Sequence, residues 1–461
     1  MEENKKSNPL VSVPVNKLLR QFAIPSIIAM LVSAMYNIVD QFFIGRSVGE
    51  LGNAATNIAF PLSICCIAIA LLFGIGGASS FNLAMGRGNK REATYYLGNS
   101  AVMLFGCGLL LTLIVQLFLS PILVFFGAPE DILGLAKTYT GITSLGFPFM
   151  ILAAGGGHLI RADGSPRFSM ISNLTGAVVN TILDALFVFG FKWGIAGAAW
   201  ATIIGQIISG AMAFFYLRRT KTVDIEKKHL IIRKRYIGRI ISLGAAPCFN
   251  QLSMMVVQIV MNKSLNYYGA LSVYGQAIPL ACAGIIIKVN QVFFSFIIGI
   301  SQGLQPIVSF NYGAMKYLRV KKAYLKAATY GFVLAVTAFL VFQLFPRYII
   351  ALFGDGSEAY YTFAIRYFRV FLFFTFLNFI QPITSNFFTA IGKPQKGIFL
   401  SLTRQILFLL PLILILPLFL GIDGILYAGP IADLIAGIVA ITMVVKELRE
   451  KNYREEAELV R

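Results

Sequence analysis

Apolar positions in this chain neither alternate nor fall on a single helical stripe. They run for about 20 residues at a time, the length at which a helix crosses the hydrocarbon core of a bilayer. Such runs cover 20–44, 54–84, 93–119, 134–158, 168–190, 194–217, 238–262, 272–304, 323–345, 359–388, 397–419 and 424–445. They predict twelve transmembrane helices. Lipid offers a backbone amide no partner, so only helices or closed barrels span it, and no period-two pattern supports a barrel. The expected class is an all-α membrane protein.

The polar punctuation between the runs repeats. Ser80-Phe81-Asn82 returns as Ser309-Phe310-Asn311, Phe126-Gly127 as Phe353-Gly354, and Gly164 with Pro166 as Gly392 with Pro394. Gly194-Ile195 with Gly197 returns as Gly421-Ile422 with Gly424, and Pro25 matches Pro247. Each half carries six runs, so the internal repeat is parallel. The division expected is an N-terminal six-helix bundle over 1–217, a basic linker over 218–237, and a C-terminal six-helix bundle with its tail over 238–461. Two bundles around a central cleft is the architecture of an alternating-access transporter. The glycine groups Gly74 to Gly77 and Gly155 to Gly157 lie within runs and read as close helix packing.

Charge fits this picture once it is located. The chain has 39 Lys and Arg against 20 Asp and Glu, a net +19, which by itself would suggest nucleic acid. With the N-terminus inside, 30 of the basic residues fall in inner segments and only four (Arg46, Lys192, Lys263 and Arg347) in outer ones. Positive charge stays cytoplasmic. The excess is therefore a topology signal with both termini cytoplasmic; it implies contact with the lipid bilayer and no nucleic-acid partner. A charged content of 13% beside 57% hydrophobic residues excludes a soluble enzyme of 461 residues. The first 20 residues lack an apolar core with a cleavage site and read as a cytoplasmic tail. Five cysteines in apolar runs and two histidines leave no metal cluster, and no phosphate-binding loop or clustered nucleophile is present. No enzyme activity and no cofactor are expected.

The informative residues are polar groups inside the runs, which cost several kcal/mol and are functional hypotheses by default. Asp40 lies in the first run. Asp184 and Asn180 share one face of the fifth at i, i+4 spacing. Thr202 lies in the sixth. Asp40, Asp184 and Thr202 sit roughly 9–12 Å below the outer surface at 1.5 Å per residue. Two carboxylates, an amide oxygen and a hydroxyl at one level suit a hard-oxygen cation site, or a proton shared by the carboxylates. Asp433, facing no acid in the other half, reads as structural, Lys288 as needing a partner or a wet cavity, and Arg404 as a snorkelling residue. Arg366 and Arg369 read as facing the outer cleft or snorkelling. Met30, Met35, Tyr36, Gln251, Met254, Met255 and Gln258 are candidate walls of a substrate cleft, with Lys288 beside them. Pro25, which interrupts the ladder of the Asp40 helix, is a candidate hinge.

These residues resemble a known family. Pro25, the run Tyr36-Asn37-Ile38-Val39-Asp40-Gln41-Phe42-Phe43-Ile44-Gly45, and Gly52-Asn53-Ala54-Ala55 are similar to the multidrug and toxic compound extrusion (MATE) family, in its bacterial MepA-like branch. So are Ile160 to Pro166, Asn180 with Asp184, Gly194 to Thr202, and Gln302 to Ala314. The resemblance covers the whole chain. It implies a MATE-like fold and a cation-coupled antiporter of the bacterial cytoplasmic (inner) membrane, working as a monomer. Its expected partners are small-molecule organic cations and a coupling Na⁺ or H⁺. Asp40, Asn180, Asp184 and Thr202 match the family's first-half cation site, with Na⁺ bound there as the only metal if the coupling ion is Na⁺, and Tyr139 matches a residue near it. Another branch carries acids in the seventh and tenth helices. Here the seventh has Gln251 and Gln258 and the tenth has no intramembrane carboxylate, which puts the expected site in the first half alone. The alternative, a flippase for lipid-linked or polysaccharide precursors in the same superfamily, would need a basic central cleft, and only Lys288 offers charge at mid-depth.

Overall fold

The computed structural model describes residues 9–353, 357–450 and Tyr453. The basic positions Lys5, Lys6, Lys451, Arg454 and Arg461 and the repeat residue Gly354 lie outside them. Twelve helices are long and apolar enough to cross a membrane. They are α1 (Val15–Val48), α2 (Leu51–Gly86), α3 (Lys90–Leu117), α4 (Glu130–Ala162), α5 (Pro166–Gly190), α6 (Gly194–Arg218), α7 (Lys234–Ala270), α8 (Ala277–Gly313), α9 (Tyr317–Leu344), α10 (Glu358–Ala390), α11 (Pro394–Leu420) and α12 (Ile422–Leu448). Each contains one of the predicted apolar runs, apart from a few residues at the ends of some runs. The fold is two six-helix bundles, α1–α6 and α7–α12, and no strand occurs among the described residues. Between α6 and α7 the chain leaves the helical pattern except for a single turn at Lys227–His229. The side-chain amide of Asn99 on α3 holds this segment by donating to the carbonyls of His229 and Ile231 and accepting from the Arg233 amide.

The bundles meet through three helix pairs, α2 on α7, α1 on α8 and α2 on α8. All three close at the end that carries the linker. Gly76 lies against the backbone of Ile240 and Gly244, Gly244 against Leu72, Gly313 against Leu83, and Gly299 and Gly303 against Ile27 and Ala23. Only hydrogen side chains permit such backbone contact. Hydrogen bonds follow the same line. Gln305 donates to Ser79 Oγ at 2.8 Å, and Asn311 donates to the Leu10 carbonyl at 3.0 Å. All four seam helices carry an internal proline: Pro25, Pro61, Pro247 and Pro306.

The C-terminal bundle contains a polar knot that corrects one expectation. Arg404 does not snorkel. Its Nε lies 2.5 Å from Asp433 Oδ1, and Asn378 donates to Asp433 Oδ2 at 3.0 Å. Arg404 sits in a π-helical turn over Thr403–Leu409, which rotates it inward between α10 and α12. Asp433 is fully buried. Asp433→Ala should therefore destabilise the bundle by about 2–4 kcal/mol, because it strands a mostly buried guanidinium. Thermal melting of the purified protein checks this, and adding Arg404→Met should recover most of the loss. Arg366, expected at the cleft or snorkelling, pairs with Asp423 at 2.9 Å.

Candidate functional site

Small residues bring α5 and α6 together and set the geometry of a polar cluster in the N-terminal bundle. A Cβ at Gly205 would stand 2.7 Å from the Gly176 carbonyl and 2.9 Å from Asn180 Cβ. One turn nearer the linker end, Ser172 and Ser209 exchange hydrogen bonds with each other's carbonyls at 3.1 and 2.9 Å. This clasp presses Asn180 onto α6, where its amide lies 3.4 Å from Thr202 Oγ1. Asp184 follows Asn180 by one turn and ends the α-helical part of α5; the next residues, Ala185–Gly190, form a π-helical turn. α1 packs along α5 and brings in Asp40.

The Asp40 and Asp184 carboxyls lie close to each other. The hydroxyls of Tyr36 and Tyr139 both turn toward Thr202. Tyr139 packs against Ile44, Val188 and Ala198, closing the apolar side of the cluster. The structure thus brings together Asp40, Asn180, Asp184, Thr202 and Tyr139, from four helices of one bundle. It adds Tyr36, which the sequence placed among the cleft residues.

The hydrogen-bond inventory of this cluster is one-sided. Asp40 Oδ1, Asn180 Oδ1 and both carboxylate oxygens of Asp184 are buried without a partner. Asp40 is 8% exposed, Asn180 2% and Asp184 0%. Four acceptors share this cluster, and no donor bonds to them. Two ionised carboxylates cannot bond each other, and burying them unpaired costs several kcal/mol per ion. The chemistry this arrangement supports is capture of a positive charge, either a proton on one carboxyl or a small hard cation among the oxygens.

The remaining predicted residues divide between seam and cleft. Met30 lies in the closed seam, its carbonyl 3.5 Å from Ser295 Oγ and its sulfur 3.6 Å from Gln302 Nε2. Gln251, Met255 and Gln258 continue, at helical spacing, the α7 stripe that begins with the seam residue Gly244. They are half-buried, and Met254 beside them is exposed. Lys288 continues the α8 stripe of Ser295 and Gly299 away from the seam and is exposed. Met35 is exposed on α1, and Pro25 is buried in the same helix next to the seam. The bundles are closed against each other at the linker end, and these stripes continue beyond that closure. Sequence reading missed the Asn378–Arg404–Asp433 knot and the role of Asp163, which accepts from Tyr216, the Lys221 amide and both donors of Thr222, and so ties the start of the linker to α4.

A repeated pair of six-helix bundles, packed backbone to backbone at one end, is an architecture found among membrane transporters. The MatE family model matches residues 25–186 and 247–442, one stretch in each bundle, and the chain belongs to this family of membrane transporters. It is a multi-pass membrane protein and not an enzyme. Curated relatives include the multidrug export protein MepA of Staphylococcus aureus, 24% identical over 452 residues, covering 97% of each chain. MepA of Staphylococcus haemolyticus is 25% identical over 448 residues, covering 96% of each. Among solved structures, a MOP superfamily transporter from Pyrococcus furiosus superposes with a TM-score of 0.89 at 22% identity, covering 98% of this chain and 100% of that one. A multidrug resistance MATE transporter in an outward-facing conformation gives 0.88 at 22% identity, covering 97% and 99%.

Proposed function

We propose that this protein is a secondary antiporter that exports organic cations in exchange for Na⁺ or H⁺. The observation that carries the reading is the set of four buried acceptor oxygens on Asp40, Asn180 and Asp184 with no donor. A coupling cation neutralises them, and Thr202 and Tyr139 complete its surroundings. The multidrug export assigned by name to the MepA relatives supports the substrate class. Met35, Met254 and Met255 offer polarizable surfaces that adapt to varied apolar ligands. Coupling needs only that cation and substrate favour different orientations of the two bundles, 1–217 and 238–461, about the 218–237 linker. Transport by the purified monomer in liposomes, with Na⁺ and pH gradients imposed separately, tests the reading and selects the ion. Failure of either gradient to drive a fluorescent organic cation would sink it.

The basic residues of the linker end support a cytoplasmic position for that end in a bacterial inner membrane. The closed seam then makes this conformation outward-facing. Single cysteines at Lys227 and Ala128, on a cysteine-free background, should separate cleanly with an impermeant thiol reagent added to intact cells. Ala128 labels and Lys227 does not; the opposite pattern inverts the topology.

Pro25 lacks an N–H and leaves the Gln21 carbonyl without its helical donor, beside the seam on the helix that carries Asp40. It acts as the hinge that relays cation occupancy to the closure. Pro25→Ala should lower coupled transport severalfold with normal folded yield. Unchanged coupling would reduce the proline to a fixed kink.

A further inference from the structure

A cavity of about 1070 Å³ opens at the linker end of the N-terminal bundle, on the side away from the acidic cluster. Its apolar wall includes Leu18 and Phe22 of α1, Phe81 of α2, Ile171 of α5 and Phe310 of α8. Its rim carries Lys90, Arg167 and Lys221, all exposed and forming no ion pair among the described residues. Asp163 is the one acid in the lining, and its oxygens are taken up by the linker. The N-terminus of α5 enters the same space, and Ser165 at its cap position makes no side-chain bond to the first turn.

One buried residue points to a ligand. Asn82 is 1% exposed and lines the cavity, and its amide nitrogen has no hydrogen-bond partner. The internal repeat shows what such a donor does when it is satisfied. Asn311, its counterpart, donates to the carbonyls of Leu10 and Ile307 at 3.0 and 2.8 Å. Arg319 stands eight residues beyond Asn311, as Lys90 stands eight beyond Asn82. It donates to Leu10 and Val13 carbonyls at 3.1 and 2.7 Å. In the second half these donors grip main-chain oxygens. In the first half the same positions face a cavity with cations at its rim and apolar side chains along its wall.

We propose that this cavity binds an anionic phospholipid. Its phosphate lies against Asn82, Lys90, Arg167, Lys221 and the first turn of α5, and its acyl chains lie among Leu18, Phe22, Phe81 and Ile171. Unpaired donors, a helix N-terminus and a net positive rim are the ingredients of phosphate recognition. Basic pockets between membrane helices bind anionic head groups in this way. The volume exceeds that of drug-sized pockets and accommodates a head group with the upper parts of its chains. The orientation proposed above enters only in assigning the lipid to the cytoplasmic leaflet, so binding in detergent stands or falls independently of it.

Full-length protein in neutral detergent, offered equal phosphatidylglycerol and phosphatidylcholine, should retain phosphatidylglycerol in native mass spectra with a preference of at least about tenfold, as three cations near one phosphate imply. The Lys90→Gln, Arg167→Gln, Lys221→Gln triple variant, altered only at exposed positions, should lose that preference. A control with Lys321, Lys322 and Lys326 changed to Gln, a basic patch on α9 outside this cavity, should keep it. Phosphatidylglycerol should also raise the melting temperature of the wild type, and inorganic phosphate at the same concentration should not. A triple variant that keeps the preference, or a control that loses it equally, overturns the site. An equal shift from inorganic phosphate overturns the lipid as its occupant.

Discussion

Asp40→Asn and Asp184→Asn should each abolish gradient-driven transport while leaving the protein as stable as the wild type or more so. The two effects have one cause. Each carboxylate is buried, and Asp40 Oδ1 and both Asp184 oxygens lack a hydrogen-bond donor. Without a bound cation the pair stores electrostatic cost, and breaking or leaving a buried charge unpaired is worth about 3–5 kcal/mol. Replacing one carboxylate with an amide of the same shape removes a charge and supplies a donor, so the melting temperature holds or rises. The same change removes the charge whose neutralisation differs between the two orientations, and a ligand that no longer distinguishes the states cannot shift them. Transport in liposomes should fall to the level without a gradient, a loss of at least about tenfold for a lost coupling energy of 1.4 kcal/mol. Asn262→Ala, at the position in α7 that the repeat pairs with Asp40, should be mild. Full coupled transport by both aspartate variants would remove the proposed site. A drop in melting temperature with the loss would make the cluster a folding element.

Much of this architecture is legible in the chain because it rests on local signals. Length and hydropathy define a span without reference to its neighbours, and twelve such spans are present. The depth of Asp40, Asp184 and Thr202 follows from counting residues to the nearest segment end, and three helices of one bundle at one depth have few ways to avoid contact. What stayed hidden depends on rotation about helix axes. Arg404 and Asp433 lie on different helices, and only the π-helical turn at Thr403–Leu409 aims the arginine at its partner. No periodicity announces that turn. Tyr36 reads in the sequence as a cleft residue beside Met35, yet its position on α1 brings it next to Thr202. The unpartnered amide of Asn82 is likewise invisible until the repeat is seen in three dimensions, where Asn311 is satisfied and Asn82 is not.

Gly244→Leu should disable transport as thoroughly as loss of the acids, by a different route. A Cβ at Gly244 would overlap the carbonyl of Leu72, and one at Gly76 the carbonyl of Ile240, so α2 and α7 touch backbone to backbone at the linker end. The obstructing atoms are main chain and cannot rotate away. Any larger residue must push the helices apart, and over-packing of this kind costs roughly 1–3 kcal/mol. That cost falls only on the orientation in which the linker end is sealed. It shifts the balance between orientations by about 5- to 150-fold, the range that such coupling energies span. Two readouts follow. Transport should decline in the order Gly, Ala, Leu at position 244. A single cysteine at Ser79, fully buried in the seam beside Gln305, should go from protected to reactive toward a soluble thiol reagent in the Leu variant. Gly106→Ala is the matched control, because a Cβ there meets nothing within 4 Å. It should leave both readouts unchanged and add slightly to stability, since alanine outlasts glycine in a helix by roughly 0.5–1 kcal/mol. If Gly244→Leu transports normally, or Ser79 stays protected in it, the glycine contact is not the closure of the linker end, and the seam must be held by the Gln305 and Asn311 hydrogen bonds instead.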